Sequence, residues 1–259
     1  MANRQKQDTI RLQKNLNREV KAGLVVDGIR GAATQAALMA YYEKIEHQPK
    51  GIDVSRWQAK IDWLAVRRAG AAFAIVKASD GKGSDPSFAA NWAGTKAAGL
   101  WRGAYAWYHP SQDPKTQAQK LFSLVGKLSK GDLPCWIDVE RDDKGADGVL
   151  GTADDIKATD AKVEAFAALV AEFTGKKPLI YSYGYYLDDR DIEAPAYGLA
   201  IADYRSGPPT LPPGWSNYLF HQYAGDKGRQ EGVNGPCDLD RFNGTYEEDR
   251  KSTRLNSSH

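Results

Sequence analysis

The chain is poor in several residue types. Its 259 residues include two cysteines, two methionines and four histidines. Two cysteines, Cys135 and Cys237, are too few for a disulfide framework or a zinc cluster. The histidines are scattered, without the His-Glu-x-x-His spacing of a zinc peptidase. No apolar run reaches the ~18 residues of a spanning helix, so membrane insertion is not expected. The opening "MANRQKQDTIRLQ" lacks the apolar core of a signal peptide. Synthesis in the cytoplasm without ordinary secretion is the expectation. An excess of one charge is missing too. Lys plus Arg number 35 and Asp plus Glu 33, a net of +2, which gives no footing for nucleic acid.

What is present divides the chain. Residues 1–46 read as a small helical unit. Ile10, Leu12, Leu16 and Val20 recur at helical spacing, and Asp27, Gly28 and Gly31 form a turn before a second helix with Thr34 near its start. Such a small core is marginal alone. Residues 47–50 read as a linker. From residue 51 strands alternate with helices. Strands are expected over 51–55, 72–79, 102–108, 134–140 and 178–183. Amphipathic helices are expected over 62–69, 87–98, 114–128 and 158–174. Three further strands, 198–204, 218–223 and 237–242, follow with little room for helices. Five strand–helix units plus three strands make eight, enough for a closed α/β barrel with parallel strands over 51–246. An open doubly wound sheet is the alternative, but no glycine-rich dinucleotide fingerprint follows the first strand. The polar tail 247–259 is read as disordered or as a cloning scar.

The segment "PCWIDVE" carries the chemistry. Asp138 and Glu140 are two residues apart, so in a strand they share a face about 6–7 Å apart. Asp53 lies in the first expected strand and Asp238 in the last. Active sites of α/β barrels occupy the C-terminal strand ends, and closure brings the first and last strands together. Four carboxyls crowded there raise one another's pKa, so that one stays protonated while another is ionised, as glycoside hydrolysis requires. A single Asp at a strand end is usually a cap or turn residue. Agreement of four on one rim favours function. Tyr105, Trp107, Tyr108, Tyr181, Tyr183, Tyr204 and Tyr223 lie in or just after strands, where aromatic faces suit sugar rings and the alternative is core packing.

The ordered set "GIDVSRWQAKIDW", "FAIVKASDG", "GLWRGAYAWYH", "WIDVE", "LIYSY", "AIADY", "HQY" and "CDLDRF" resembles glycoside hydrolase family 25, the Chalaropsis-type N-acetylmuramidases, over about residues 50–244. The resemblance implies an irregular TIM-like (β/α)5(β)3 barrel behind a small all-α domain. It implies Glu140 as the general acid and Asp138 as its partner, which orients the substrate acetamido group or stabilises charge at the anomeric carbon. Asp53 and Asp238 become the other active-site acids, and Tyr105, Tyr181, Gln222 and Tyr223 contact sugar. The substrate implied is the β-1,4 link from N-acetylmuramic acid to N-acetylglucosamine in peptidoglycan, with no cofactor. Ala200 and His221 stand where the family often has tryptophan, and Trp107 or Trp101 is the expected compensation. Asp80 replaces a longer acid or amide. The pattern Asp27, Gly28, Gly31, Thr34 resembles a small helical peptidoglycan-binding domain, with Ala32 replacing a frequent proline. A helical cap on the barrel is the alternative. Together these features resemble a phage or prophage endolysin, expected to be monomeric and to need a holin or similar route to the wall.

Two weaker signals remain. The loop 142–155 partly echoes a calcium loop, with Asp143, Asp147, Gly148 and Asp154 at positions one, five, six and twelve. Gly145 stands at position three and the final Glu is missing, so a solvated loop is favoured. Cys135 and Cys237 sit at odd offsets from Asp138 and Asp238, which places free, buried thiols on the face away from the acids, while His109 and His221 are candidates to line the cleft. A non-catalytic wall-binding protein on the same barrel is the competing function. A wall amidase or peptidase lacks a zinc or Cys/His signature.

Overall fold

The computed structural model describes residues 2–245; the tail expectation for 247–259 lies outside them. Helices α1 (Ala2–Val20) and α2 (Ala32–Glu46) pack through Leu16, Ala37, Leu38 and Tyr41. Gln13 explains the turn motif between them. Its Nε2 donates to Asp27 Oδ1 (2.8 Å) and Thr34 Oγ1 (3.3 Å), and its Oε1 accepts from the Gly28 N–H (2.9 Å). Gly28 has φ of 77°, the left-handed region that favours glycine. The small helical core is supported by docking on the barrel. Asn15 Nδ2 donates to Thr210 Oγ1 (3.0 Å), and Arg18 Nη2 to the Pro209 carbonyl (2.6 Å). The segment read as a linker is packed as well. Gln48 is buried and bonded to Asn243, and the Pro49 carbonyl accepts from Phe242 N (2.9 Å).

The rest runs β1 (Lys50–Val54), α3 (Trp63–Arg68), β2 (Phe73–Asp80), β3 (Gly83–Ser84), α4 (Phe88–Ala97), β4 (Trp101–Trp107), α5 (Pro114–Val125), β5 (Trp136–Asp138), α6 (Asp160–Thr174), β6 (Leu179–Tyr183), α7 (Gly184–Asp189), β7 (Gly198–Ala202), β8 (Phe220–Ala224) and β9 (Asp238–Phe242). Local signals set the helix starts: Asp113 Oδ2 accepts from the Thr116 N–H (2.7 Å), with Pro114 opening α5. Strand order is β1-β9-β8-β7-β6-β5-β4-β2-β3, and a β1–β2 pairing closes the ring. Eight strands form the barrel, and β3 is a short hairpin arm on β2. The open-sheet alternative is thereby excluded.

Two sequence expectations need correction. Strand β9 is antiparallel to both β1 and β8. Asp238 therefore opens its strand instead of ending one, and it still reaches the mouth because the chain enters β9 from that side. The strand expected over 134–140 is only Trp136–Asp138, so Glu140 lies past its end. The extended backbone persists nonetheless, with the Val139 N–H donating to the Tyr181 carbonyl (2.9 Å).

Side chains alternate between two apolar layers. Ile52, Val54, Val76, Ile137, Phe166 and Val170 fill the layer between strands and helices, and both cysteines lie there, buried and free. Phe73, Ile75, Trp136, Leu179, Phe220 and Phe242 fill the barrel interior. This interior layer is the floor on which the acids stand.

Candidate active site

Inward-facing positions at the upper barrel end carry polar groups. On β1 Ile52 and Val54 face the helices, so Asp53 faces inward. On β5 Asp138 follows Trp136 on the inner face. Asp53 pairs directly with Asp238 across β1–β9. These three acids and Glu140 line one cleft of about 320 Å³. The sequence-based expectation that chain closure gathers them is met.

Gln222 organises one wall. Its Oε1 accepts from Tyr181 Oη (2.8 Å) and Tyr204 Oη (2.5 Å). With both phenols on that oxygen, the amide nitrogen must face the other way, and Nε2 donates to Asp53 Oδ2 at 2.6 Å. Two phenols thus fix the orientation of a neutral donor against a buried carboxylate.

Burial dominates the electrostatics. It pushes Asp53 up to about 6, against the hydrogen bond from Gln222, which lowers it. It pushes Asp238 up to about 8, reinforced by the charge of Asp53. Asp138 is raised well above the carboxylate range by burial and then by Glu140. Glu140 is also raised by burial, and a hydrogen bond from Asp138 opposes this. Burial and mutual repulsion therefore favour a proton on the Asp138–Glu140 pair. Asp138 Oδ1 is buried and accepts no hydrogen bond from the described residues. Lys77 supplies the countercharge. It lowers both acids, bonds Asp80 Oδ2 (2.8 Å), and lies 4.8 Å from the Trp107 ring centroid.

Of the other candidates, Tyr105, Trp107, Tyr181 and Gln222 line the cleft. Tyr204 touches it through Gln222, and Tyr183, Tyr204 and Tyr185 line an adjoining groove, with Tyr183 and Tyr185 stacked at 5.4 Å. Tyr223 does not reach the cleft. Its ring lies under Arg241 (4.0 Å) and lines a hollow beside Met39 and Tyr42 of α2. Period two is the reason: Gln222 faces inward, so its neighbour cannot. His221 is outward for the same reason, buried with Nε2 2.8 Å from the Asp203 carbonyl. It neither lines the cleft nor removes a platform from it. His109 also misses the cleft, held between Asp80 (2.7 Å) and Asp143 (2.8 Å). Trp101 opens β4, pairs with Phe73 and lies at the far barrel end, so only Trp107 is placed to compensate. Ala200 belongs to the interior layer.

The calcium likeness is not carried by the geometry. Asp143 is turned to His109 and Ser111, Asp147 caps the Val149 N–H, and Asp154 accepts from Asp147 N and Thr152. Among the described residues no cluster of three or more His, Cys, Asp or Glu is placed to hold a metal ion.

Sequence reasoning missed Trp57, Lys77, Trp136 and Asp240. Trp57 is 77% exposed at the cleft rim, and Trp136 stacks on Tyr181 (5.6 Å) at its floor. Lys77 was findable, because it shares the inward phase of Phe73 and Ile75. Asp240 was findable by its i+2 spacing from Asp238.

A crowded set of buried carboxyls in a closed α/β barrel, walled by aromatic rings, defines a glycosidase of the two-carboxylate kind. Comparison with known proteins agrees. Residues 52–233 match the model of glycosyl hydrolases family 25, and the chain belongs to that family. It is 31% identical over 208 residues to "Lysozyme M1" of Streptomyces globisporus, covering 76% of this chain and 68% of that one. It is 36% identical over 205 residues to "Uncharacterized protein YegX" of Escherichia coli K12, covering 76% and 71%. Its fold matches the bacterial lysozyme of Streptomyces coelicolor with a TM-score of 0.71 at 27% identity, covering 81% of this chain and 99% of that one.

Proposed function

We propose that this enzyme is an N-acetylmuramidase that cleaves the β-1,4 bond between N-acetylmuramic acid and N-acetylglucosamine in peptidoglycan. The observation that carries this reading is the convergence of Asp138 and Glu140 with Asp53 and Asp238 on one cleft. Glu140, less buried and beyond the strand end, is the member that reaches a glycosidic oxygen and protonates it as the bond breaks. Asp138, which lines the cleft beside Glu140, is placed to accept a substrate acetamido N–H. Asp53 adds negative charge opposite the developing positive charge at the anomeric carbon. Trp107 and the exposed Trp57 offer ring faces to the sugars.

The two N-terminal helices act in this reading as a wall-binding unit that raises the local concentration of the enzyme at its polymer. The enzyme works as a monomeric endolysin, made in the cytoplasm and released to the wall through a holin or similar route. An assay of reducing ends released from purified peptidoglycan tests the chemistry. Glu140→Gln should lose at least about 10³-fold in kcat with little change in KM. Full activity in that variant would remove Glu140 as the acid, and release of amino groups in place of reducing ends would indicate an amidase or peptidase.

A further inference from the structure

One acid in the barrel has no place in the chemistry above. Asp240 is fully buried, 0% exposed, and neither carboxyl oxygen receives a donor N–H or O–H from the described residues. It stands two residues after Asp238 on the same face of β9, opposite Gly51 on β1 and Gln222 on β8. Gly51 brings no side chain to meet it. Asp240 sits diagonal to Asp53 on the same face of the β1–β9 pair, where Gly51 opposes Asp240 and Asp53 opposes Asp238. A carboxylate left ionised there would be uncompensated beside other carboxyls, which is strongly unfavourable. A carboxylic acid there has one O–H, and the adjacent acceptor is Asp53.

We propose that Asp240 is a positioning residue for the glycosidase reaction, a permanently neutral acid that donates its proton to Asp53 and so keeps that carboxylate ionised and aimed into the cleft. This rests on the muramidase reading for the role of Asp53, but not for the protonation of Asp240. The proton does not leave Asp240 during turnover. With Gln222 Nε2 on Oδ2 and the protonated Asp238 opposite, Asp240 is then a further neutral donor to Asp53 that never competes for its charge. The groups that face Asp240 are consistent with this. Asp53 and Asp238 act on it directly and raise its pKa after burial does. On the opposite face Tyr223 and Cys237, which Asp240 itself affects, are raised by their own burial and stay neutral.

The test uses the full chain, with Asp240→Asn and Asp240→Ala. An asparagine amide reproduces the donor and cannot ionise. Asp240→Asn should keep the wild-type pH–rate profile and kcat within about threefold. Asp240→Ala removes the donor, so the acid limb of the kcat profile should move up by about one unit, a loss of about tenfold on that limb. An Asn variant as impaired as the Ala variant would show that an ionised Asp240 is required. An Ala variant with an unmoved profile would show that the residue is merely structural. Either result overturns the proposal. A second readout needs no activity. Carbon-13 NMR of aspartate carboxyls in the wild type should show a group still protonated at pH 7 that disappears in Asp240→Asn. If that signal titrates near the ordinary aspartate value, the proposal fails whatever the substrate. If it stays protonated while peptidoglycan is untouched, the muramidase reading fails and the buried donor stands.

Discussion

Asp53 and Asp238 face each other directly across the antiparallel pair of β1 and β9, a buried acid and a half-buried one at one rung of the ladder. Like groups so placed cannot both ionise cheaply. Asp53 takes the charge because Gln222 donates to it at 2.6 Å, and Asp238, raised to about 8, keeps its proton at neutral pH.

This arrangement should cost stability. The folded pKa of Asp238, about 8, exceeds its ordinary unfolded value, so between about pH 4 and 8 the native state binds more protons than the unfolded one. Stability therefore falls as pH rises through that window. Asp238→Asn should raise the melting temperature at pH 7.5, by the equivalent of about 2 kcal/mol or more, and leave it nearly unchanged at pH 4. Calorimetry at the two pH values checks this, with lost activity expected at both.

Gln222→Leu deprives Asp53 of its amide donor and leaves two phenols without their shared acceptor. Expected are a kcat loss of about 10–100-fold and a stability loss of about 2 kcal/mol. Steady-state kinetics and urea denaturation measure the two effects separately.

Lys77→Met removes the cation that lowers Asp138 and Glu140. Both acids then hold their proton to higher pH. The alkaline limb of the pH–rate profile should move up by about half a unit to one unit. A downward shift would mean that Lys77 acts mainly by holding Asp80.

His109 ties the β2 turn to the loop 142–155 through Asp80 and Asp143. Its pKa is raised, first by the hydrogen bond to Asp80. The stabilisation is fully present below the unfolded histidine value near 6.5 and is lost as pH rises through the higher folded value. Amide exchange in residues 142–155 should accelerate across that range. His109→Ala should show the fast rate already at pH 6.

The order of elements was legible because each depends on neighbours in the chain. Hydrophobic phase marked the strands, and Asp113 with Pro114 marked a helix start. The acids Asp138 and Glu140 were legible as a pair because a two-residue spacing in extended backbone sets a common face. The same rule argued against Tyr223 beside Gln222, and it would have offered Lys77 and Asp240. Those were legible in principle and were hidden by an assumption of uniformly parallel strands and by attention to aromatic residues.

The sequence by itself determined which residues alternate, which helices start where, and that acids accompany strand ends, since these follow from local backbone geometry. Only the tertiary structure decided that β9 runs backwards, that Asp53 meets Asp238, and that Gln222 turns its amide nitrogen to the acid. Those facts depend on barrel closure and on partners more than a hundred residues apart. Local periodicity carries no information about which strands will be neighbours or how far water is excluded between them.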